Sequence, residues 1–336
     1  MIFNWVMAGF SIVFNFILIL LVSRVNVVAM GSYPILIYVS ALMDVLIALS
    51  NAIVAPNIHM GLYSFVVFGQ GTYDWPMLPG RISIYLFDLL FYQTFVILCY
   101  QFVYRLAVLR SSHPSSLLSR LNILHWVTIG VVFEIIFNGL MIFFVSHFEP
   151  IAARIFVVGH ADWEPDGQLV TEMRQYYGID MQKPFCHFHV VYAVANDRGR
   201  TLKWNIPILI YTLTILGLIS ALGVLMIVCA TSVVGLIKSV SADCNIRAST
   251  HRQFFLALVI QTVVPLAFSF APVACLVLLP LTGGRFGALG NYLMSVTSVY
   301  PAVDPLLLIF CVQSYRRKIY SFLESLPCKK FKIMAN

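Results

Sequence analysis

The chain has 336 residues, 60% hydrophobic and only 10% charged, with a mean hydropathy of +0.89. A soluble domain carries about 25% charged residues, so this composition excludes a water-soluble globular fold and points to a polytopic membrane protein in a single domain, 1–336. The formal net charge is +7, and in such a protein the placement of the charges says more than their sum.

Ile2 to Val22 is apolar and long enough to cross about 30 Å of hydrocarbon. No basic residue precedes it and Arg24 follows it, so it reads as an uncleaved first span with its N-terminus outside rather than as a signal peptide. The second span is expected over 34–55, with Asp44 near its middle, followed by an aromatic- and glycine-rich connection from Pro56 to Gly80. The third, 81–109, carries Asp88 near its start and Tyr104-Arg105 at its end. A short basic loop leads to a fourth span over 121–145, which contains Glu134.

Residues 146–203 form the one long polar region. Within it Phe188–Val194 and Arg200–Trp204 are β-prone runs around Asn196-Asp197-Arg198-Gly199, the pattern of a β-hairpin in the second outer loop. The fifth span is expected over 205–237. The sixth, 254–281, holds Pro265, Pro272 and Pro280, and the seventh is placed at 289–312. In the seventh, Tyr300-Pro301-Ala302-Val303-Asp304-Pro305 sets an acid between two prolines, each of which removes a helix hydrogen bond. A kink near Thr297 and Pro301 is expected, with partners for Asp304 on neighbouring helices.

Tyr315, Ile319, Phe322 and Leu323 then fall on one face of a short amphipathic helix over 314–324, with Arg316, Arg317 and Lys318 on others. Cys328 beyond it is either a palmitoylation site or an unmodified thiol. Lys and Arg concentrate in short loops and span ends on the side of Arg24, Arg110, Lys238, Arg247 and Arg316, which places the C-terminus inside. The fold expected is an all-α seven-helix membrane bundle.

No nucleophile elbow, zinc-protease motif, P-loop or dinucleotide fingerprint occurs, so no enzyme is expected. Cys186-His187-Phe188-His189 lacks the further ligands that a zinc site needs and reads as part of a strand. Intramembrane acids are functional candidates or helix–helix hydrogen-bonding groups. Asp88 lies about 10 Å below the outer end of its span and shares a face with Tyr85 and Tyr92. Aromatic walls with one polar anchor suit a small ligand. Asp44 reads as structural or as part of a switch.

Several motifs together resemble the nematode serpentine chemoreceptors of the Str class, within the G-protein-coupled receptors. They are Gly31-x-Tyr33, Phe102-Val103-Tyr104-Arg105, Gln253-Phe254-x-x-Ala257-Leu258-Val259-x-Gln261-Thr262-x-x-Pro265, Ala271-Pro272, and Tyr300-Pro301-x-x-Asp304-Pro305-Leu306 running on to Arg316-Arg317-x-Ile319-x-x-Phe322-Leu323. The resemblance covers nearly the whole chain. It implies reception of odorant-like small molecules, coupling to a heterotrimeric G protein, and a plasma-membrane position in sensory cilia. The chain departs from rhodopsin-like receptors, with Tyr104 in place of an acid before Arg105, Tyr300-Pro301 in place of Asn-Pro, and no cysteine near Arg81.

On this reading Tyr85, Asp88, Tyr92, Tyr211, Phe268 and Tyr292 are candidate ligand contacts. Tyr104, Arg105, Lys238, Arg247, Arg252, Arg316 and Arg317 face the G protein. Asp44, Pro265, Pro272, Tyr300, Pro301, Asp304 and Pro305 form the switch. No cofactor, metal or nucleic acid is expected. A transporter or ligand-gated channel is the alternative, served by the intramembrane acids but lacking internal repeats; a non-signalling receptor relative is another.

Overall fold

The computed structural model describes residues 1–25, 33–111, 167–181, 187–196, 201–240 and 266–325, with scattered positions between 124 and 139 and between 256 and 264. Among the described residues five helices are long and apolar enough to cross a membrane: Ile2–Arg24, Pro34–Val54, Leu78–Tyr104, Ile206–Leu236 and Leu289–Cys311. A shorter apolar stretch covers Leu266–Thr282. The expected fourth span is described only at scattered helical positions, and Glu134, Cys186, Arg247, Arg252, Pro265 and Cys328 lie outside the described residues.

The long helices are α1 (Ile2–Arg24), α2 (Tyr33–Val54) and α3 (Met77–Ser111). A short helix α4 (Gly167–Tyr177) precedes the long α5 (Ile206–Val240). One turn of π-helix, Leu266–Phe270, runs into α6 (Ala271–Leu278). The chain ends in α7 (Leu289–Thr297), α8 (Tyr300–Cys311) and α9 (Gln313–Ser325).

The spans invert the pattern of a soluble helix. On α1 the exposed side chains include Phe10, Val13 and Phe16, while Ala8, Ser11, Asn15 and Leu18 are buried. Apolar groups face the lipid, and small and polar groups mediate contact between helices. Ala8 meets Ala48 and Ala52 of α2 in one such close approach. Helix α1 packs on α2 and α8, α2 on α3, and α3 on α5.

The expected kink in the seventh span is a full break. Helix α7 ends at Thr297, tight turns join Ser298 to Ser295 and Val299 to Val296, and α8 restarts at Tyr300. Pro301 has no N–H for the Thr297 carbonyl, which ends the first segment there. Pro272 likewise removes a donor next to the π turn, a place where such turns absorb a disrupted helix ladder.

The aromatic- and glycine-rich connection after α2 is a β-hairpin. Strand β1 (Pro56–Gly61) pairs antiparallel with β2 (Ser64–Gly69), and β2 pairs with β3 (His187–Val191) from the long polar region. The run expected as one strand, Phe188–Val194, is therefore divided. Its first half joins this sheet, while β4 (Ala193–Asn196) pairs with β5 (Thr201–Trp204).

Alternation gives the three-stranded sheet two different faces. Ile58, Met60, Phe65 and Tyr192 pack down on Ile84, Phe87, Ile208, Leu276 and Met294 of the bundle. Val66 and Phe68 pack up against Leu169 and Met173 of α4. The sheet thus caps one end of the helices and α4 covers the cap. Gly290 lets α7 come close beneath it, because a Cβ there would strike the Ile58 carbonyl.

Candidate functional site

The cap is pinned to the bundle by polar contacts. Buried His59 on β1 meets Glu172 of α4 through Nε2 at 2.8 Å and Tyr177 through Nδ1 at 3.3 Å. Asn291 of α7 donates to the Tyr177 hydroxyl at 2.6 Å and accepts the Ile58 N–H at 3.0 Å. One network therefore joins β1, α4 and the start of the seventh span. On β3, burial together with nearby His187 pushes His189 down to about 3. At the head of α5, the Asn205 Oδ1 accepts from Ile208 N–H, the N-cap arrangement, while its Nδ2 donates to Val191 O at 3.1 Å.

Below the cap runs an aromatic ladder on α3, Phe87, Phe91 and Phe95, with ring centroids 6.3 and 5.8 Å apart, and Phe270 of the π turn stands 6.0 Å from Phe95. Tyr92 stacks edge-on to Phe91 at 5.8 Å. Asp88 and Tyr211 of α5 both lie within electrostatic reach of Tyr92. The fold thus brings together three of the expected ligand contacts, Asp88, Tyr92 and Tyr211, and Tyr85 stands half-buried one turn above them. Phe268 and Tyr292 lie on the outer surface of the bundle, 37% and 71% exposed. Sequence reasoning passed over Phe91, Phe95 and Phe270. The repeat Phe87-x-x-x-Phe91-x-x-x-Phe95, four residues apart on one helix face, was the available signal.

Nearer the middle of the bundle lies a seam of buried polar groups. Pro305 supplies no N–H to the Pro301 carbonyl, and that carbonyl instead accepts from Ser11 Oγ at 3.0 Å and Asn15 Nδ2 at 3.2 Å, both on α1. Asp304 lies beside Asp44 of α2, close enough for the two carboxyls to interact, and Tyr300 stands within reach of both. Two acids this close in a buried seam are an uncommon pairing between membrane helices. The partner sought for Asp304 is thus a second acid. Gln101 of α3 donates to Ser40 of α2 at 3.2 Å and extends the seam.

At the far end Tyr104 is buried with Ala107, Leu308, Val312 and Tyr315, so it belongs to the inner core in this structure and not to the open surface. Helical phase explains this, since Tyr100, Tyr104 and Ala107 recur at i, i+4 and i+7 on the packed face of α3. Arg316 and Arg317 are exposed. The side chains of Arg105 and Lys238 lie outside what the structure describes.

A helical bundle that is apolar toward lipid, with paired acids along its interior and a folded cap over one end, defines a polytopic membrane protein. Residues 1–320 match the family described as serpentine type 7TM GPCR chemoreceptor Str, and the chain belongs to that family, whose members are receptors and not enzymes. It is 25% identical over 301 residues to serpentine receptor class J-38 of Caenorhabditis elegans, covering 87% of this chain and 83% of that one. Over 322 residues it is 21% identical to serpentine receptor class r-10 of Caenorhabditis briggsae, with 94% and 88% covered. It is also similar to G-protein coupled receptor str-33 of Caenorhabditis elegans, at 22% identity over 314 residues.

Proposed function

We propose that this chain is a chemosensory receptor that binds a small, odorant-like environmental molecule in its outer half and activates a heterotrimeric G protein at its inner face. The observation that carries the ligand site is the meeting of Asp88, Tyr92 and Tyr211 beneath the cap, beside the aromatic ladder. One carboxyl with two phenols offers hydrogen bonds within otherwise apolar walls, the makeup of a site for a small organic molecule. The bundle is taken to have seven spans with the N-terminus outside. The cap and the basic ends of α1, α3 and α9 at opposite ends of α3 support that orientation. The plasma membrane of the sensory cilium of a chemosensory neuron is the expected location.

Ligand binding shifts a two-state equilibrium that exists without it. The π turn, Pro265 and Pro272 in the sixth span and the break before Tyr300 in the seventh are the moving parts. Arg105, Lys238, Arg247, Arg252, Arg316 and Arg317 meet the G protein, and Tyr104 joins them when the inner core opens. The test is guanine-nucleotide exchange on several Gα subunits by the reconstituted chain, against a broad odorant panel. At least one compound is expected to raise exchange, with the response weakened about tenfold by Asp88→Asn or Tyr92→Phe. A flat response across panel and subunits would count against the reading.

A further inference from the structure

At the end of the molecule away from the cap, the last turn of α1 and the surface helix α9 border a shallow, open cleft lined by Arg24, Val25, Ser314, Arg317, Lys318 and Ser321. The geometry points to a binding site for the phosphorylated headgroup of an anionic membrane lipid.

Three of the six lining groups are cations, and among the described residues none of them takes part in an ion pair. The residues contributed by α9 fall at i, i+3, i+4 and i+7, a single polar stripe of two hydroxyls and two cations turned toward the end of α1. Tyr315 and Ile319 on the adjoining face are held in the inner core, which fixes the rotation of the helix. The first half of α9 also carries Arg316, Arg317 and Lys318 with no acid in its first turn, the opposite of what a helix dipole favours. An anion in the cleft satisfies both the clustered cations and the dipole.

A lipid fits this site better than a free anion, because an acyl path leads to it. Val13, Ile17 and Leu20 are exposed on α1 at spacings of four and three, and Arg24 continues the same stripe one turn on. A phosphate held by Arg24, Arg317 and Lys318 thus lies at the head of an apolar track that runs down into the bilayer. Basic pockets beside membrane helices are a recurrent setting for anionic headgroups.

The inference depends on the receptor's proposed orientation only for which leaflet supplies the lipid. Nanodiscs offer both leaflets, so the binding readout is independent of orientation, odorant and G protein. The full chain is placed in discs of phosphatidylcholine doped with phosphatidylserine or with a phosphatidylinositol bisphosphate, and bound anionic lipid is counted by native mass spectrometry after release. Wild type is expected to keep anionic lipid preferentially. Each of Arg24→Ala, Arg317→Ala and Lys318→Ala is expected to weaken retention about fivefold. Arg316→Ala removes one charge from another face of the same helix and is expected to change retention less than twofold.

Equal loss from Arg316→Ala would reduce the effect to diffuse surface charge and overturn the site. So would unchanged retention in all three cleft variants. If inorganic phosphate alone raises the thermal stability of the detergent-solubilised chain as much as the lipid does, with the same residue dependence, the site is one for a soluble anion and the lipid assignment fails. The same melting curve checks that each variant is folded.

Discussion

The cap and the mid-bundle seam both bury polar groups, but they satisfy them by different means. In the cap the central links run from side chain to side chain, His59 with Glu172 and Tyr177, and Tyr177 with Asn291, while Asn291 also takes the ladder N–H of Ile58. His59, Glu172 and Tyr177 lie on a strand and a short helix that a soluble protein could equally use, and only Asn291 belongs to a span. In the seam the unusual acceptor is backbone, the Pro301 carbonyl left open by Pro305, and the donors Ser11 and Asn15 come from a helix that is otherwise apolar outward. Within hydrocarbon each unpaired backbone group costs several kcal/mol, so a proline-broken membrane helix has to recruit its neighbours. The cap holds loops together, whereas the seam repairs a helix that its own prolines opened.

Substitutions can break or sharpen this contrast. The largest effect is expected in the seam. Asp304→Leu leaves the buried Asp44 carboxyl facing an apolar group, a loss of about 3 kcal/mol or more that should abolish surface expression. Asp304→Asn keeps a hydrogen-bonding partner there. It should preserve surface expression while altering basal exchange on Gα; unchanged basal and evoked exchange would reduce Asp304 to a packing role.

In the cap, Glu172→Ala deprives buried His59 Nε2 of its acceptor at a cost of about 2 kcal/mol. Faster amide exchange across β1, with the interior of α1 unchanged, is the expected signature. Exchange that rises equally in α1 would mean that cap and seam unfold together.

Acid should also act on the cap first. His189 is held below its ordinary 6.5, so the unfolded chain binds that proton more readily than the folded one. The contribution is fully present above about 6.5 and is lost as pH falls toward 3, a weakening of about 2 kcal/mol at most by pH 5. His189→Gln should flatten that part of a melting-temperature profile. The smallest effect is Ser11→Ala, because Asn15 still serves the Pro301 carbonyl; about 0.6 kcal/mol is expected from thermal unfolding.

The described spans were readable because long apolar runs need only length and composition. Helix α1 runs on to Arg24 and α3 reaches back to Met77. The hairpin β1–β2 was missed. Ser64–Phe68 alternates only briefly, and half of its pairing comes from β3, far along the chain. Asp44 and Asp304 could each be recognised as an awkward acid. Their pairing could not, because it depends on how the second and seventh spans rotate against each other. Tyr292 is a candidate ligand contact in the sequence, and Tyr300 part of the switch. The turns at Ser298 and Val299 reset the helical phase between them, leaving Tyr300 buried and Tyr292 outside.

Asn205 has a mechanical consequence. Its carboxamide starts α5 with one atom and grips the last residue of β3 with the other, while its backbone N–H holds the Tyr192 carbonyl at 2.7 Å. The fifth helix and the third strand therefore behave as a crank and its handle: α5 cannot turn about its own axis without carrying the edge of the sheet along. Tyr211 lies six residues further along that shaft, so pressure on it is transmitted to the edge strand of the cap.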